Sequence, residues 1–207
     1  MSEELVKKLL SFGAEKICAT PHFYFYKEEV SSFLKRRDSA YKKIENISGL
    51  PEIILGAEVA LEHGLSDVED VSKLAIEGTD YILLELPRSG FEKWIIHEIE
   101  NIMYEHHLIP IFAHIERYAN FLSVKNLYSL FEIKEAIFQV NVFAMNNFFS
   151  RVILRKLYNC VGSGSIILGS DLHRYDARLA NTKSGLLHVS KMFSEQDFEK
   201  IRHGFMG

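Results

Sequence analysis

The sequence predicts an α/β fold in which a parallel sheet is covered by helices. Short, continuously apolar segments alternate with longer segments of helical periodicity, a pattern typical of strands that are buried on both faces. The later apolar segments end 27 or 28 residues apart, at Val59, Leu86, Ala113, Val140 and Leu168. No linker or low-complexity stretch interrupts the 207 residues, so we expect a single domain over residues 1–207.

Six apolar segments are predicted as strands because they are short, rich in Ile, Leu and Val, and bounded by turn-forming residues. In chain order they cover residues 16–20, 53–59, 81–86, 109–113, 137–140 and 166–168. Six strands are few for a closed α/β barrel, and a barrel and a doubly wound sheet both fit the pattern.

Helices are predicted between and after these strands from apolar residues at spacings of three and four. They cover residues 5–12, 30–44, 68–76, 94–103, 127–131 and 152–158, and two more follow Thr182. Ser66 or Asp67 is expected to cap the helix at 68–76, and Ser194 the last helix.

Composition excludes several classes of protein. Hydrophobic residues make up 47% and charged residues 25%, which excludes a disordered, collagenous or coiled-coil chain. The net charge of -4 gives no basic footprint for nucleic acid and no polybasic membrane anchor. No apolar run approaches the ~18 residues that cross a bilayer, so no membrane insertion is expected. Two cysteines are too few for a disulfide framework, which favours a reducing compartment, the cytoplasm.

Five of the six predicted strands end in or beside His, Asp or Glu. In α/β folds the carboxyl ends of parallel strands gather at the active site. The residues are His22 in TPH, Glu58 in GAEV, Glu85 in LLELP, His114 in HIER, and Asp171 and His173 in SDLH. Converging carboxylates repel one another and favour a cation between them, and a set of His and carboxylates without thiolates suits Zn, Mn or Fe.

Two arginines follow these ligand candidates closely. Arg117 comes three residues after His114, and Arg178 five residues after His173. A guanidinium beside a cationic cluster is favourable when an anion lies between them, and arginine matches phosphate bidentately. The alternative is a surface ion pair, for instance with Glu116 or Asp176.

Two other motifs give weaker evidence of function. A cysteine-phosphatase loop needs an arginine six residues after its cysteine, but Tyr24 follows Cys18 and Ile166 follows Cys160 at that distance. The aromatic run 23–26 after His22 fits either an aromatic substrate wall or simple loop packing.

Taken in order, the motifs ATPHF, LGAEV, TDYILLELP, AHIERY and GSDLHRYDAR resemble the PHP-type protein-tyrosine phosphatases of bacterial capsule and exopolysaccharide clusters, the CpsB/YwqE family. The similarity runs along essentially the whole chain. The resemblance implies a distorted TIM-like barrel of seven strands, a cluster of up to three divalent ions, often manganese, and six ligands here: His22, Glu58, Glu85, His114, Asp171 and His173. It also implies that Arg117 and Arg178 bind the phosphate and that Asp171 belongs to the catalytic centre.

The chain departs from the family pattern at its start. Family members begin with a strand carrying Asp-x-His-x-His, and this sequence begins at what resembles the following helix. The barrel is therefore expected to lack its first strand, leaving six. The site of Glu58, Glu85 and His114 keeps its protein ligands, and fewer than three ions are expected. A mis-set start codon, a deliberate fragment and a decayed copy all fit this pattern.

The implied function is metal-dependent hydrolysis of phosphotyrosine on the tail of a bacterial tyrosine kinase that controls capsular or exopolysaccharide synthesis. One alternative is another phosphoesterase of this fold, such as a histidinol-phosphate phosphatase. The other is a catalytically inactive copy that only binds the phosphopeptide.

Overall fold

The computed structural model describes residues 3–11, 16–88, 90–172 and 177–203. The strands within these ranges are β1 (Lys16–Ala19), β2 (His22–Phe23), β3 (Glu52–Leu55), β4 (Glu58–Ala60), β5 (Tyr81–Glu85), β6 (Ile109–Phe112), β7 (Ile137–Asn141) and β8 (Ile166–Gly169). The helices are α1 (Glu3–Ser11), α2 (Val30–Tyr41), α3 (Lys93–Glu105), α4 (Val124–Phe131), α5 (Phe148–Val161), α6 (Ala177–Ser190) and α7 (Glu195–His203).

The main sheet has six strands in the order β2, β4, β5, β6, β7 and β8, and β1 pairs separately with β3. The pairs β2–β4, β4–β5, β6–β7 and β7–β8 are parallel. The prediction of an α/β fold with six parallel strands is confirmed.

The second predicted strand, at residues 53–59, is divided into β3 and β4, and the first, at residues 16–20, is followed after Pro21 by a further short strand, β2. Ala19 pairs with Leu55, and His22 pairs with Glu58 at the same offset, so the register does not change across the break. Pro21 has no N–H to donate, yet its carbonyl oxygen accepts from the Glu58 N–H at 3.1 Å. The break therefore ends immediately before His22 and Glu58 and leaves the two residues side by side on neighbouring strands.

The chain forms two compact units. The first comprises residues 1–87 and 92–110, and the second comprises residues 88–91 and 111–207. The prediction of a single domain over residues 1–207 remains a prediction.

The core of the first unit lies between its strands and α2 and α3. Phe23 and Phe33 are fully buried, and their rings meet edge to face at 5.2 Å. The predicted helix at 68–76 is wrong, because this segment forms only a short 3-10 turn from Val71 to Leu74. Asp70, immediately before the turn, adopts a left-handed backbone (φ 64°), which interrupts an α-helix.

The core of the second unit contains a cluster of aromatic rings. Phe138 on β7 packs against Phe112 at 5.5 Å and meets Phe131 edge to face at 5.4 Å. The predicted cap of the last helix is confirmed, since the Asp197 N–H donates to the Ser194 hydroxyl at 3.2 Å. Among the described residues, no helix is both long enough and apolar enough to span a membrane.

Candidate metal centre

Three ligand-type side chains converge in the first unit: His22, Glu58 and Glu85. His22 on β2 pairs with Glu58 on β4, so their side chains point to the same face of the sheet. Glu58 pairs with Leu83 on β5, and Glu85 lies two residues further along that strand, again on this face. Parallel register and the two-residue period of a strand therefore bring the three together.

The geometry of this group fits one cation. His22 Nδ1 lies 4.0 Å from Glu58 Oε1 and 3.8 Å from Glu85 Oε2. One ligand atom from each residue lies within 4.8 Å of the other two. An ion at about 2.0–2.2 Å from each donor needs donors at this kind of separation.

The charge of the group favours the same conclusion. Glu58 is 6% exposed, and the Glu85 side chain is only slightly more accessible. Two carboxylates at this distance repel each other, and burial strengthens the repulsion. One imidazole and two carboxylates form a donor set that suits Zn, Mn or Fe. The residues present therefore fit the divalent metal that the sequence predicted.

The aromatic residues after His22 divide between packing and exposure. Phe23 is buried in the core, as the packing alternative expected. The Tyr24 ring lies 5.9 Å from the His22 ring, and the Lys27 ammonium lies 3.9 Å from the centre of the Tyr24 ring. Tyr26 is 61% exposed. The Tyr24 ring therefore lies beside the ligand candidate His22, and the Lys27 ammonium lies over the Tyr24 ring.

In the second unit, His114, Arg117 and Asp171 lie in turns that follow β6 and β8. His114 is buried, and its backbone is left-handed (φ 36°). Asp171 also has a left-handed backbone (φ 47°). Arg117 donates from Nη2 to Asp171 Oδ2, so these two predicted site residues form an ion pair with each other.

Glu116, considered in the sequence as a surface partner of arginine, is in fact buried, with 3% exposure. Its Oε2 accepts a hydrogen bond from the Asn141 N–H at 3.2 Å, while Oε1 is buried with no hydrogen-bond partner. Burial raises the pKa of this carboxyl, although the Asn141 N–H and the charges of His114 and Arg117 act in the opposite direction. Glu116 thus belongs to the interior of the turn after β6.

Sequence reasoning missed Gln139. This residue and Asn141 are two positions apart on β7, on one face of a strand whose five residues are all buried. Gln139 Oε1 accepts from the His114 N–H, and Asn141 Nδ2 donates to Asp171 Oδ2. Two amides within the apolar segment IFQVN were the available signal, because buried amides need hydrogen-bond partners.

Two predicted site positions are not described. His173 lies outside the described residues, as do Asp176 and the side chain of Arg178. Their expected roles in metal and phosphate binding remain predictions.

Cysteine chemistry gains no support from the described residues. Burial raises the pKa of the Cys18 thiol to about 12, even though the charge of Arg37 lowers it. A thiol with this pKa stays protonated at neutral pH and is a poor nucleophile. This agrees with the absence of a cysteine-phosphatase loop in the sequence.

A family model for capsular polysaccharide synthesis, CpsB/CapC, matches residues 1–204. The chain belongs to the CpsB/CapC family. No curated protein matches the chain significantly.

Two solved structures are similar in fold to this CpsB/CapC member. One comes from the crystal structures of YwqE from Bacillus subtilis and CpsB from Streptococcus pneumoniae, described as unique metal-dependent tyrosine phosphatases. It has a TM-score of 0.74 and 19% identity, with 96% of this chain and 81% of that chain covered. The other is histidinol phosphate phosphatase from Lactococcus lactis with zinc, L-histidinol and phosphate. It has a TM-score of 0.55 and 14% identity, with 89% of this chain and 86% of that chain covered.

Proposed function

We propose that this CpsB/CapC member is a metal-dependent protein-tyrosine phosphatase, a phosphoric monoester hydrolase. The convergence of His22, Glu58 and Glu85 carries the proposal, because these three donors are close enough to hold a cation at the strand ends of an α/β sheet. The fold shared with YwqE and CpsB supports the reaction class. The Cys18 thiol is unreactive because burial raises its pKa, which favours hydrolysis by a metal over hydrolysis through this cysteine.

The residues of the first unit would hold the ion. His22 would bind through an imidazole nitrogen, and Glu58 and Glu85 through carboxylate oxygens. A divalent ion supplies a water-derived nucleophile at neutral pH and neutralises charge on the phosphate oxygens. Manganese is our first choice, with zinc and iron as alternatives of the same donor preference.

The remaining ligands and the phosphate-binding residues are proposed from their motifs. His114 in HIER, and Asp171 and His173 in SDLH, are proposed as further metal ligands, with Asp171 also acting in catalysis. Arg117 and Arg178 are proposed to bind the phosphate. An arginine has five N–H donors, so Arg117 can keep its bond to Asp171 through Nη2 and still donate to a phosphate oxygen.

The proposed substrate is phosphotyrosine on the tail of a tyrosine kinase that regulates capsular or exopolysaccharide synthesis on the cytoplasmic side of the membrane. The phenolate leaving group has a pKa of about 10, so it needs less help from a general acid than an alkoxide does. The family's place in capsular polysaccharide synthesis supports this choice of partner.

The test is manganese-dependent hydrolysis of a phosphotyrosine peptide by the purified 207-residue chain. We expect turnover that Glu58→Gln and Asp171→Ala abolish, while Glu69→Gln, an exposed substitution of the same type, leaves it unchanged. Arg117→Ala should weaken inhibition by inorganic phosphate more than it weakens manganese binding. Tight peptide binding without turnover would favour the inactive copy that only binds phosphopeptide.

A second candidate is hydrolysis of histidinol phosphate, which the fold shared with the Lactococcus lactis enzyme favours. The ratio of kcat/KM for the phosphotyrosine peptide to that for histidinol phosphate separates the two. A ratio below one would replace the proposed substrate with the alkyl phosphate.

A further inference from the structure

β7 carries two amide side chains in a setting where each must find hydrogen-bond partners. All five residues of the strand are buried, Gln139 with 8% exposure and Asn141 with none. A buried amide without partners is costly, so such groups persist when their bonds are made within the protein. The contacts of these two amides therefore indicate what they hold in place.

These contacts form one continuous hydrogen-bond network. Gln139 Oε1 accepts from the backbone N–H of His114 at 2.5 Å. Gln139 Nε2 donates to Asn141 Oδ1 at 3.0 Å, and Asn141 Nδ2 donates to Asp171 Oδ2 at 3.3 Å. The network thus begins at the turn after β6 and ends at the turn after β8. β7 pairs with both of these strands, so it is placed to join the two turns.

The residues at both ends of this network have an uncommon backbone conformation. His114 (φ 36°) and Asp171 (φ 47°) are left-handed without being glycine. Such conformations are strained for residues with a side chain, and they persist where the surrounding structure holds them. An outside restraint is needed at the two turns whose side chains we propose as metal ligands.

A glycine on β8 leaves space for the Gln139 side chain of this network. A Cβ atom on Gly169 would lie 2.0 Å from Gln139 Nε2 and 2.6 Å from Gln139 Cδ. Gln139 can therefore occupy its position only because residue 169 has no side chain. Gly164 provides a natural contrast, because a Cβ there would meet nothing within 4 Å.

We propose that Gln139 and Asn141 are positioning residues that hold the left-handed turns at His114 and Asp171 in the metal-free protein. They would act through these two residues and would not touch the metal or the substrate. The inference rests on the proposed function for the roles of His114 and Asp171. The restraint itself is a property of the second unit and is measurable without any substrate.

The test begins with amide hydrogen exchange in the metal-free protein, followed by NMR. Gln139→Leu removes the acceptor for the His114 N–H, and Gly169→Ala displaces the acceptor without altering it. We expect each variant to raise the exchange rate of the His114 amide by about tenfold or more, as loss of a protecting hydrogen bond allows local opening. Gly164→Ala should leave that rate unchanged.

A conservative variant separates positioning from general stability. Gln139→Glu keeps an oxygen that can accept from the His114 N–H and loses only the Nε2 donor to Asn141, so we expect it to keep the His114 amide protected. General destabilisation would instead raise exchange along the whole of β7 in every variant. If Gln139→Leu fails to fold, Gly169→Ala and Gln139→Glu still compare a protein whose acceptor for the His114 N–H is displaced with one whose acceptor is kept.

The second readout is the binding of manganese alone, measured by calorimetry. We expect Gln139→Leu and Gly169→Ala to weaken manganese binding by about 10- to 100-fold, the usual effect of residues that orient metal ligands. Gly164→Ala should retain binding, and Gln139→Glu, which keeps the acceptor for His114 but lacks the donor to Asn141, should fall between the two.

The outcomes distinguish this inference from the proposed function. A wild-type chain that binds manganese but hydrolyses no phosphotyrosine would refute the phosphatase and leave the exchange measurement intact. A His114 amide whose exchange is the same in wild type, Gln139→Leu and Gly169→Ala would overturn the positioning role, whatever the activity.

Discussion

The two units of this chain place acidic side chains in opposite electrostatic settings. In the first unit, Glu58 and Glu85 approach each other and His22 to within 4.8 Å, which makes a like-charge pair. In the second unit, Asp171 is bonded to Arg117, which makes an opposite-charge pair, and also to Asn141. Both settings lie beside the ends of strands in a parallel sheet.

The difference indicates what each unit gains from a cation. A like-charge pair is relieved when a divalent ion binds between its members. An opposite-charge pair held by a buried amide is already stable, so its geometry exists before any ion arrives. We therefore expect the first unit to gain most of the stability from metal, and the second to be arranged in advance.

The strongest test of this comparison removes one charge from the like-charge pair. Glu58→Gln keeps the size of the side chain and leaves a single carboxylate beside His22. We expect manganese binding to weaken by more than about 100-fold, beyond the effect of losing a residue that merely orients a ligand. The metal-free variant should be at least as stable as wild type in urea, because the repulsion is removed. A clearly less stable metal-free variant would contradict the like-charge account, and Glu69→Gln is the matched control.

Metal removal gives the next effect. At about 100 times its dissociation constant, manganese should raise the free energy of unfolding by about 2.7 kcal/mol, and chelation should lower the melting temperature accordingly. Hydrogen exchange should locate the gain in β2, β4 and β5 of the first unit. An unchanged melting curve with EDTA would mean that these carboxylates hold no structural ion.

Much of this fold follows from the sequence because strands that are buried on both faces must be continuously apolar. The first strand was predicted to end at Pro21, and its continuation as β2 was not predicted, because a proline cannot donate to a ladder and is typical of a strand end. The parallel register nevertheless continues, since the Pro21 carbonyl oxygen accepts from the Glu58 N–H. The failed helix at 68–76 had helical periodicity. Tertiary bonds from Glu98 to the N–H groups of Gly64 and Ser66 instead fix the preceding loop, and Asp70 then turns left-handed.

The candidate site, like the fold, was predicted only in part. His22, Glu58 and Glu85 were predictable because strand ends converge in any parallel sheet, and the structure brings them together. Gln139 was not identified, because the two amides within the apolar segment IFQVN indicate a need for hydrogen-bond partners but not which strand ends they will contact. Glu116 was misjudged as a surface residue, since its charge favoured solvent and the bond to the Asn141 N–H depends on the folded turn.

Arg117→Met tests the opposite-charge pair. Methionine keeps much of the apolar stem and removes the bond to Asp171, so we expect the metal-free protein to lose about 2 kcal/mol, within the range for hydrogen bonds to charged groups. Urea unfolding measures the change. Arg202→Met is the control, since Arg202 pairs with Glu199 at the surface, where such pairs contribute about 0–1 kcal/mol. Equal losses in the two variants would deny the Arg117–Asp171 pair any special weight.

The smallest effect concerns Glu98 on α3, a carboxylate of the first unit that belongs to no like-charge pair in the described residues. It is 4% exposed and accepts from the Ser66 N–H at 2.5 Å and the Gly64 N–H at 3.0 Å. Burial by itself would raise its pKa, but hydrogen bonds from the N–H and hydroxyl of Ser66 and from the Gly64 N–H outweigh burial and hold the pKa below its usual value.

A carboxyl whose pKa is lower in the folded than in the unfolded protein stabilises the fold above its unfolded pKa, and that stability is lost as the pH falls through the folded pKa. We therefore expect Glu98→Gln to cost about 1 kcal/mol at pH 7, and the difference from wild type to disappear in acid. Urea unfolding from pH 7 to pH 3 measures it, with Glu100→Gln on the exposed side of α3 as the control. A difference independent of pH would mean that Glu98 holds the loop by shape and not by charge. In that case, the charged and polar partners of the acidic side chains in the first unit would not explain how these side chains stabilise it.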